Sequence, residues 1–259
     1  MTSFRDMLWI ELRKAIRSRM PLWTAIGYLF MPVGMTFLIF MARNPEISRQ
    51  LGLMSAKANL VAYSATDWSA YLNLFAQIIA AGGFMFSVFA VSWMFGREFA
   101  DGTLKDMLAV PVPRGSILLA KFVIVAAWSA ALVVLVFVVS LIMGTLLQLP
   151  GDLLSIIQQR MTPIAITACL MIAVVVPFAL FASIGRGYLL PVGVAILALI
   201  MANLVVVAGW GEYFPWAVPM LQAQGKNPLT PISYGIVFLT GLAGMIGTYL
   251  WWKFADQNR

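Results

Sequence analysis

The stretch whose residue types and spacing promise chemistry is Gly96-Arg97-Glu98-Phe99-Ala100-Asp101-Gly102-Thr103-Leu104-Lys105-Asp106-Met107-Leu108-Ala109-Val110-Pro111-Val112-Pro113-Arg114. That chemistry is docking. Thr103 is placed to cap a helix whose N3 residue is Asp106, and a carboxylate there is favoured by the helix dipole. Leu104, Met107 and Leu108 then share one face, and Pro111 and Pro113 end the helix. Asp101 and Lys105 have i,i+4 spacing, which adds a few tenths of a kcal/mol if the helix extends back that far. Gly102 ahead of the cap allows a sharp bend. The product is a short helix with an apolar knob and charged flanks. Two readings follow: a docking element for a protein partner, or an amphipathic turn lying on lipid.

Elsewhere the chain offers little reactive chemistry. It has no His, which removes the commonest metal ligand and the commonest general base at neutral pH. No Ser/His/Asp set is available, and no carboxylate pair falls within an apolar run to serve an intramembrane acid–base site. The phosphate-cradling pattern Gly-x-x-x-x-Gly-Lys-[Ser/Thr] is absent. The nearest strings, Gly225-Lys226-Asn227 and Gly102-Thr103, lack its spacing. The chain therefore cannot cradle nucleotide phosphates by itself in the usual way, and it reads as a non-enzyme. Cys169 is the lone cysteine, so it forms no intramolecular disulfide.

The elements that hold the docking stretch are apolar. Hydrophobic residues make up 62% of the chain and charged residues 10%, with a mean hydropathy of +0.91. Soluble domains hold about 45–50% apolar and about 25% charged residues. A chain this small has too much surface to hide the excess, so lipid is its solvent. The net charge of +7 does not signal nucleic acid, because no soluble face is left to gather Lys and Arg into a patch.

A helix needs about 20 apolar residues to cross about 30 Å of hydrocarbon. Six runs qualify: 21–42, 71–95, 117–148, 162–184, 188–208 and 231–252. An all-α membrane protein with six transmembrane helices is expected. None of the runs contains Asp or Glu, and their only Lys or Arg is Lys121. The run 117–148 is too long to stand upright, so it tilts or begins with an interfacial turn around Lys121. The run 21–42 exceeds the core of a signal peptide and reads as a retained span. Pro177 is expected to kink the fourth span. Gly241, Gly244 and Gly247 give the sixth a face for close packing.

Six spans put both termini on one side. Arg43, Arg49, Lys57, Arg160 and Lys226 fall on the other, leaving twelve of the seventeen Lys and Arg with the termini. The positive-inside rule then makes both termini cytoplasmic. Ser3 and Asp6 have capping-box spacing, and Phe4, Leu8, Leu12, Ala15 and Ile16 recur at helical spacing apart from Arg13, Lys14 and Arg17. This segment is either an amphipathic helix on the inner membrane surface or a basic anchor that sets topology. After the fifth span, segment 209–219 is punctuated by Gly and Pro and carries Trp210, Tyr213 and Trp216. It reads as a short broken or re-entrant element at the outer end, or as an aromatic belt. Segments 43–70 and 149–161, the latter with Leu153, Leu154, Ile156 and Ile157, read as surface-lying loops.

Glu98-Phe99-Ala100-Asp101-Gly102-Thr103-Leu104-Lys105, followed by Pro111, Arg114 and Lys121, resembles the Glu-x-x-x-Gly-Thr-Leu-Lys … Pro … Arg … Lys pattern of type-2 ABC transporter permeases. The six-span layout, the N-terminal helix and the aromatic stretch from Trp210 to Trp216 extend the resemblance over nearly the whole chain. In tone it is similar to the stand-alone permeases of bacitracin-resistance and lantibiotic-immunity efflux systems.

The resemblance implies a single transmembrane permease domain over 1–259, in a bacterial cell membrane. It would pair with a second permease chain, identical or not, and with two copies of a cytoplasmic ABC ATPase. ATP and Mg would sit on that ATPase; this chain would bind no cofactor or metal. The loop after the second span would be a coupling helix seated in a groove of the ATPase. Carried over by position, Glu98, Gly102, Thr103, Leu104 and Lys105 match the motif. Asp101, Met107 and Leu108 complete the expected interface.

The implied activity is export of a hydrophobic or amphipathic cargo: a drug, an antimicrobial peptide or a lipid-like molecule. Gln77, Ser87, Ser129, Ser140, Thr167, Asn203 and Thr240 are among the polar residues within spans, and each is expected to bond a neighbouring helix. Asn203 is the substrate-path candidate, because the resemblance implies that the second and fifth spans face the dimer axis. The alternatives are an ATP-independent channel or secondary carrier, which the acid-free spans argue against, and a membrane assembly factor.

Overall fold

The computed structural model describes residues 4–44, 47, 67–103, 112–225 and 228–254; among these there is no strand. Helix α1 (Phe4–Arg17) precedes α2 (Met20–Arg43), the first span. The second span runs end to end through α3 (Trp68–Ile78), a π-helical stretch (Ile79–Gly83) and α4 (Phe84–Ala100). The third is α5 (Arg114–Leu146), and the fourth is split into α6 (Leu153–Val175) and α7 (Phe178–Ile184). The fifth is α8 (Leu189–Val207). A 3-10 turn (Gly211–Tyr213) and α9 (Val218–Gln224) lead to the sixth, α10 (Pro231–Phe254). Among the described residues six helical stretches are long and apolar enough to cross a membrane, and the chain is a multi-pass membrane protein.

Each boundary has a local cause. The Asp67 side chain accepts from the Ala70 amide at 2.8 Å and starts the second span. Gly102, with φ +68°, stops it after Ala100 by taking the left-handed conformation that glycine tolerates best. Asp152 accepts from the amides of Leu154 and Ser155, so helix α6 begins there. Leu153, Leu154, Ile156 and Ile157, expected in a surface loop, are the first turns of the fourth span. The third span is one unbroken helix of 33 residues. At about 1.5 Å per residue it is about 50 Å long and overreaches the hydrocarbon. No interfacial turn forms at Lys121, whose side chain is fully buried.

The fourth span breaks between α6 and α7 at Pro177, which has no amide hydrogen to continue the ladder. The glycine face of α10 fits this break. A Cβ on Gly244 would lie 2.5 Å from the Pro177 Cα, one on Gly241 3.1 Å from the Ala173 carbonyl oxygen, and one on Gly247 3.1 Å from Leu180. Backbone therefore meets backbone across α6, α7 and α10, the small-residue packing that membrane helices use.

Polar residues within the spans behave differently from the expectation of interhelical bonding. The hydroxyls of Thr167, Thr240 and Thr248 bond carbonyls one turn back in their own helices. Away from the charged residues, bonds that tie different elements together include Trp128 to Thr24, Trp216 to the Val174 carbonyl, Trp252 to Ser183, and Thr36 with Tyr71. In segment 209–219, Trp216 is anchored in this way and Ala217 and Val218 are buried. Helix α9 packs on α3 and α6.

The second span is the hub, with 61% of its most apolar window buried within the chain; the fifth is peripheral, with 22%. At its middle, Gly82 and Gly83 of the π-helical stretch lie under Met31 and Tyr28 of α2. The end of the bundle carrying α1 and the last turn of α10 also carries the end of α4, and functional chemistry gathers there.

Candidate functional site

Helix α1 runs beside the first turns of α5, with Met7 against Ile117 and Glu11 against Lys121, and packs chiefly on that helix. Its buried face is Met7, Glu11 and Ala15, one residue per turn, while Ile16 stays exposed. The apolar set 4, 8, 12, 15, 16 is thus rotated from its expected phase. The cause is Glu11, a carboxylate drawn inside by Lys121.

Lys121 cannot sit unpaired at 1% exposure, because burying a lone charge is prohibitively costly. Its ammonium group uses all three donors. It bonds Glu11 Oε2 at 2.9 Å, Glu98 Oε1 at 2.8 Å and the Met94 carbonyl at 3.1 Å. Lys14 completes the cluster, 2.8 Å from Glu11 Oε1 and 3.4 Å from Glu98 Oε1. Two carboxylates and two ammonium groups balance, and they tie α1, α4 and α5 together.

Burial works to raise the Glu11 carboxyl, but Lys121 and Lys14 together outweigh it and hold its pKa below the usual carboxylate range. Burial likewise works to lower the Lys14 ammonium, and Glu11 with Glu98 outweighs it, leaving its pKa raised. Both groups are therefore charged at neutral pH. Glu98 Oε2 has no hydrogen-bond partner among the described residues. A cavity of about 430 Å³ opens over the cluster, with Arg97, Asp101 and Thr103 on its rim.

The expected docking residues separate into three groups. Glu98 is buried at the base of the segment, in the cluster. Asp101, Gly102 and Thr103 are exposed beyond the helix end. Because α4 stops at Ala100, Asp101 pairs backwards, accepting from Arg97 Nε at 3.0 Å. Leu104, Lys105, Met107 and Leu108, with the helix expected there, lie outside the described residues. Gly96 holds the base close to the fifth span's entry: a Cβ there would meet the Gly187 carbonyl oxygen at 2.8 Å.

Asn203 is not part of this site. It lies about 21 Å along α8 from Leu189, is exposed, and donates to the Leu199 carbonyl of its own helix at 2.8 Å. Among the described residues no group of His, Cys, Asp and Glu is arranged to hold a metal.

Sequence reasoning missed Glu11 and the role of Lys14. The signal was there: a lysine inside an otherwise uncharged span demands a carboxylate, and Glu11 has the same phase as Met7 and Ala15.

Comparison with known proteins bears on what such a site serves. Residues 7–203 match the model of the family described as ABC-2 family transporter protein. The chain is 25% identical over 168 residues to the bacitracin transport permease protein BCRB of Bacillus licheniformis, covering 64% of this chain and 81% of that protein. No solved structure matches.

Proposed function

The chain belongs to the ABC-2 family of transporter proteins, and on that premise we propose that it is the membrane-spanning half of an ATP-driven exporter, coupled to its ATPase through segment 98–113. The observation that carries this reading is the four-charge cluster. A loop that only connects two spans needs no buried anchor. Here the residue that opens the segment, Glu98, is fixed to α1 and to the start of the third span. Force applied to the segment would be passed to α1, α4 and α5 as one block, because separating them strands charges in a low-dielectric interior.

The partner is a cytoplasmic ABC ATPase, two copies serving two permease chains, with ATP and Mg on the ATPase and the termini of this chain in the cytoplasm. Leu104, Met107 and Leu108 supply the apolar knob; Asp101, Thr103 and Lys105 supply its polar rim. The cargo is hydrophobic or amphipathic. The spans offer it mostly Phe, Met and Leu, with the deepest charge among the described residues, Lys121, fully paired, and the name of one relative specifies bacitracin transport.

The combined substitution Leu104→Glu and Met107→Glu is expected to abolish co-purification of the ATPase while the permease remains folded. Undiminished co-purification would refute the assignment of the segment.

A further inference from the structure

We propose that the groove between the first turn of α2, the middle of α4 and the entry to α8 binds one anionic phospholipid. The groove holds about 480 Å³, and its walls include Arg19, Trp23, Phe86, Phe89, Trp93 and Tyr188. Its polarity is graded. Arg19 and Tyr188 stand at the end of the bundle that carries α1. Trp23, Phe86 and Phe89 lie deeper, since α2 runs away from that end and α4 runs toward it. The order is that of a lipid: a cation and a hydroxyl donor where a phosphate sits, then an aromatic wall where an acyl chain lies.

Charge selects the headgroup. The Arg19 guanidinium is exposed and makes no ion pair among the described residues. The neighbouring Arg97 is stacked 5.0 Å over the Trp93 ring and paired with Asp101, so those two charges cancel. A net positive charge remains at the mouth. The Tyr188 hydroxyl has its pKa raised, by burial first and then by Asp101, and it stays a proton donor at neutral pH.

The groove opens sideways, toward the membrane, with Trp23 64% and Phe89 41% exposed. A second copy of the chain fits it less well. At this end the described carboxylates Asp6, Glu11, Glu98 and Asp101 already have partners, so among the described residues a second copy brings no free carboxylate. It would cover Arg19 without neutralising it.

The test uses the purified permease alone in mild detergent, so its outcome is independent of the ATPase coupling. Thermal unfolding is followed with phosphatidylglycerol or phosphatidylcholine added, and native mass spectrometry counts retained lipid. Phosphatidylglycerol should raise the wild-type midpoint by several degrees and stay bound at one molecule per chain, whereas phosphatidylcholine should do neither. Arg19→Gln should lose the shift, Arg19→Lys should keep most of it, and Arg13→Gln, on the far face of α1, should keep all of it. Equal shifts from the two lipids, or an undiminished shift in Arg19→Gln, would overturn the proposal. The wild-type lipid comparison stands even if Arg19→Gln does not fold. Trp23→Cys in a Cys169→Ser background that forms disulfide-linked dimers, with no phosphatidylglycerol shift, would assign the groove to a second copy and overturn the lipid.

Discussion

The second and fifth spans each carry one polar residue singled out by the sequence, and the protein treats them in opposite ways. Glu98 ends the second span buried among two lysines and a second carboxylate. Asn203 sits on the fifth with its amide exposed and, among the described residues, bonded only to the backbone of its own helix. The second span is enclosed on most sides; the fifth buries only the face of Pro191, Ala195, Ala198 and Ala202. Glu98 is thus committed within the chain, and in the proposed transporter its contribution would be mechanical. Asn203 has spare hydrogen-bonding capacity toward whatever covers the fifth span, a second permease chain or cargo in the proposed transporter.

The largest way to break this comparison is Lys121→Met. It strands Glu11 and Glu98 in the interior, and removing one partner of a buried ion pair costs about 3–5 kcal/mol. Thermal unfolding in detergent should show a large drop in midpoint. A loss within error would mean that the cluster does not hold α1 to the spans. Next is Gly244→Val, whose added atoms collide with Pro177 backbone. Overpacking at such a contact costs about 1–3 kcal/mol, and unfolding of the isolated permease measures it.

Asn203→Leu should leave stability of the isolated chain within about 0.5 kcal/mol, while transport in vesicles or dimer formation falls. A stability loss matching that of Lys121→Met would erase the distinction between the two spans. The gentlest probe is pH. The depressed Glu11 pKa means that its contribution is complete above the ordinary carboxylate value, about 4.3, and is lost as pH falls through the lower folded value. The raised Lys14 pKa means that its contribution is complete below about 10.4 and is lost as pH rises through the folded value. Unfolding midpoints should therefore show no contribution from these groups changing between about pH 6 and 9. In acid, Glu11→Gln should flatten the decline.

The six spans were legible because the length of an apolar run is set by bilayer thickness, a constraint written in composition alone. Pro177 and the glycine face of α10 were legible because backbone effects are local. Their fit to one another was not, since it needs the two helices side by side. The starts of the second and fourth spans were misread because hydropathy fades at Trp68-Ser69 and at Gln158-Gln159-Arg160, while the caps Asp67 and Asp152 still specify helix. The π-helical stretch 79–83 had no periodic signal: one extra residue per turn changes the register without changing the pattern of apolar residues. At the site, Glu98 was legible by its motif but not by its surroundings. Its partners stand 84 and 23 residues away, and only the docking of α1 on α5 brings them together.

In the proposed transporter Glu98 and its cluster transmit work from an ATPase bound beyond Thr103. The most direct test is cargo-stimulated ATP hydrolysis in vesicles containing the reconstituted permease and ATPase, comparing wild type with Glu98→Gln. This substitution keeps the shape of the side chain and removes its charge. The complex should still assemble and hydrolyse ATP at its basal rate, with stimulation by cargo largely lost. Full stimulation in Glu98→Gln, with the complex intact, would contradict this role.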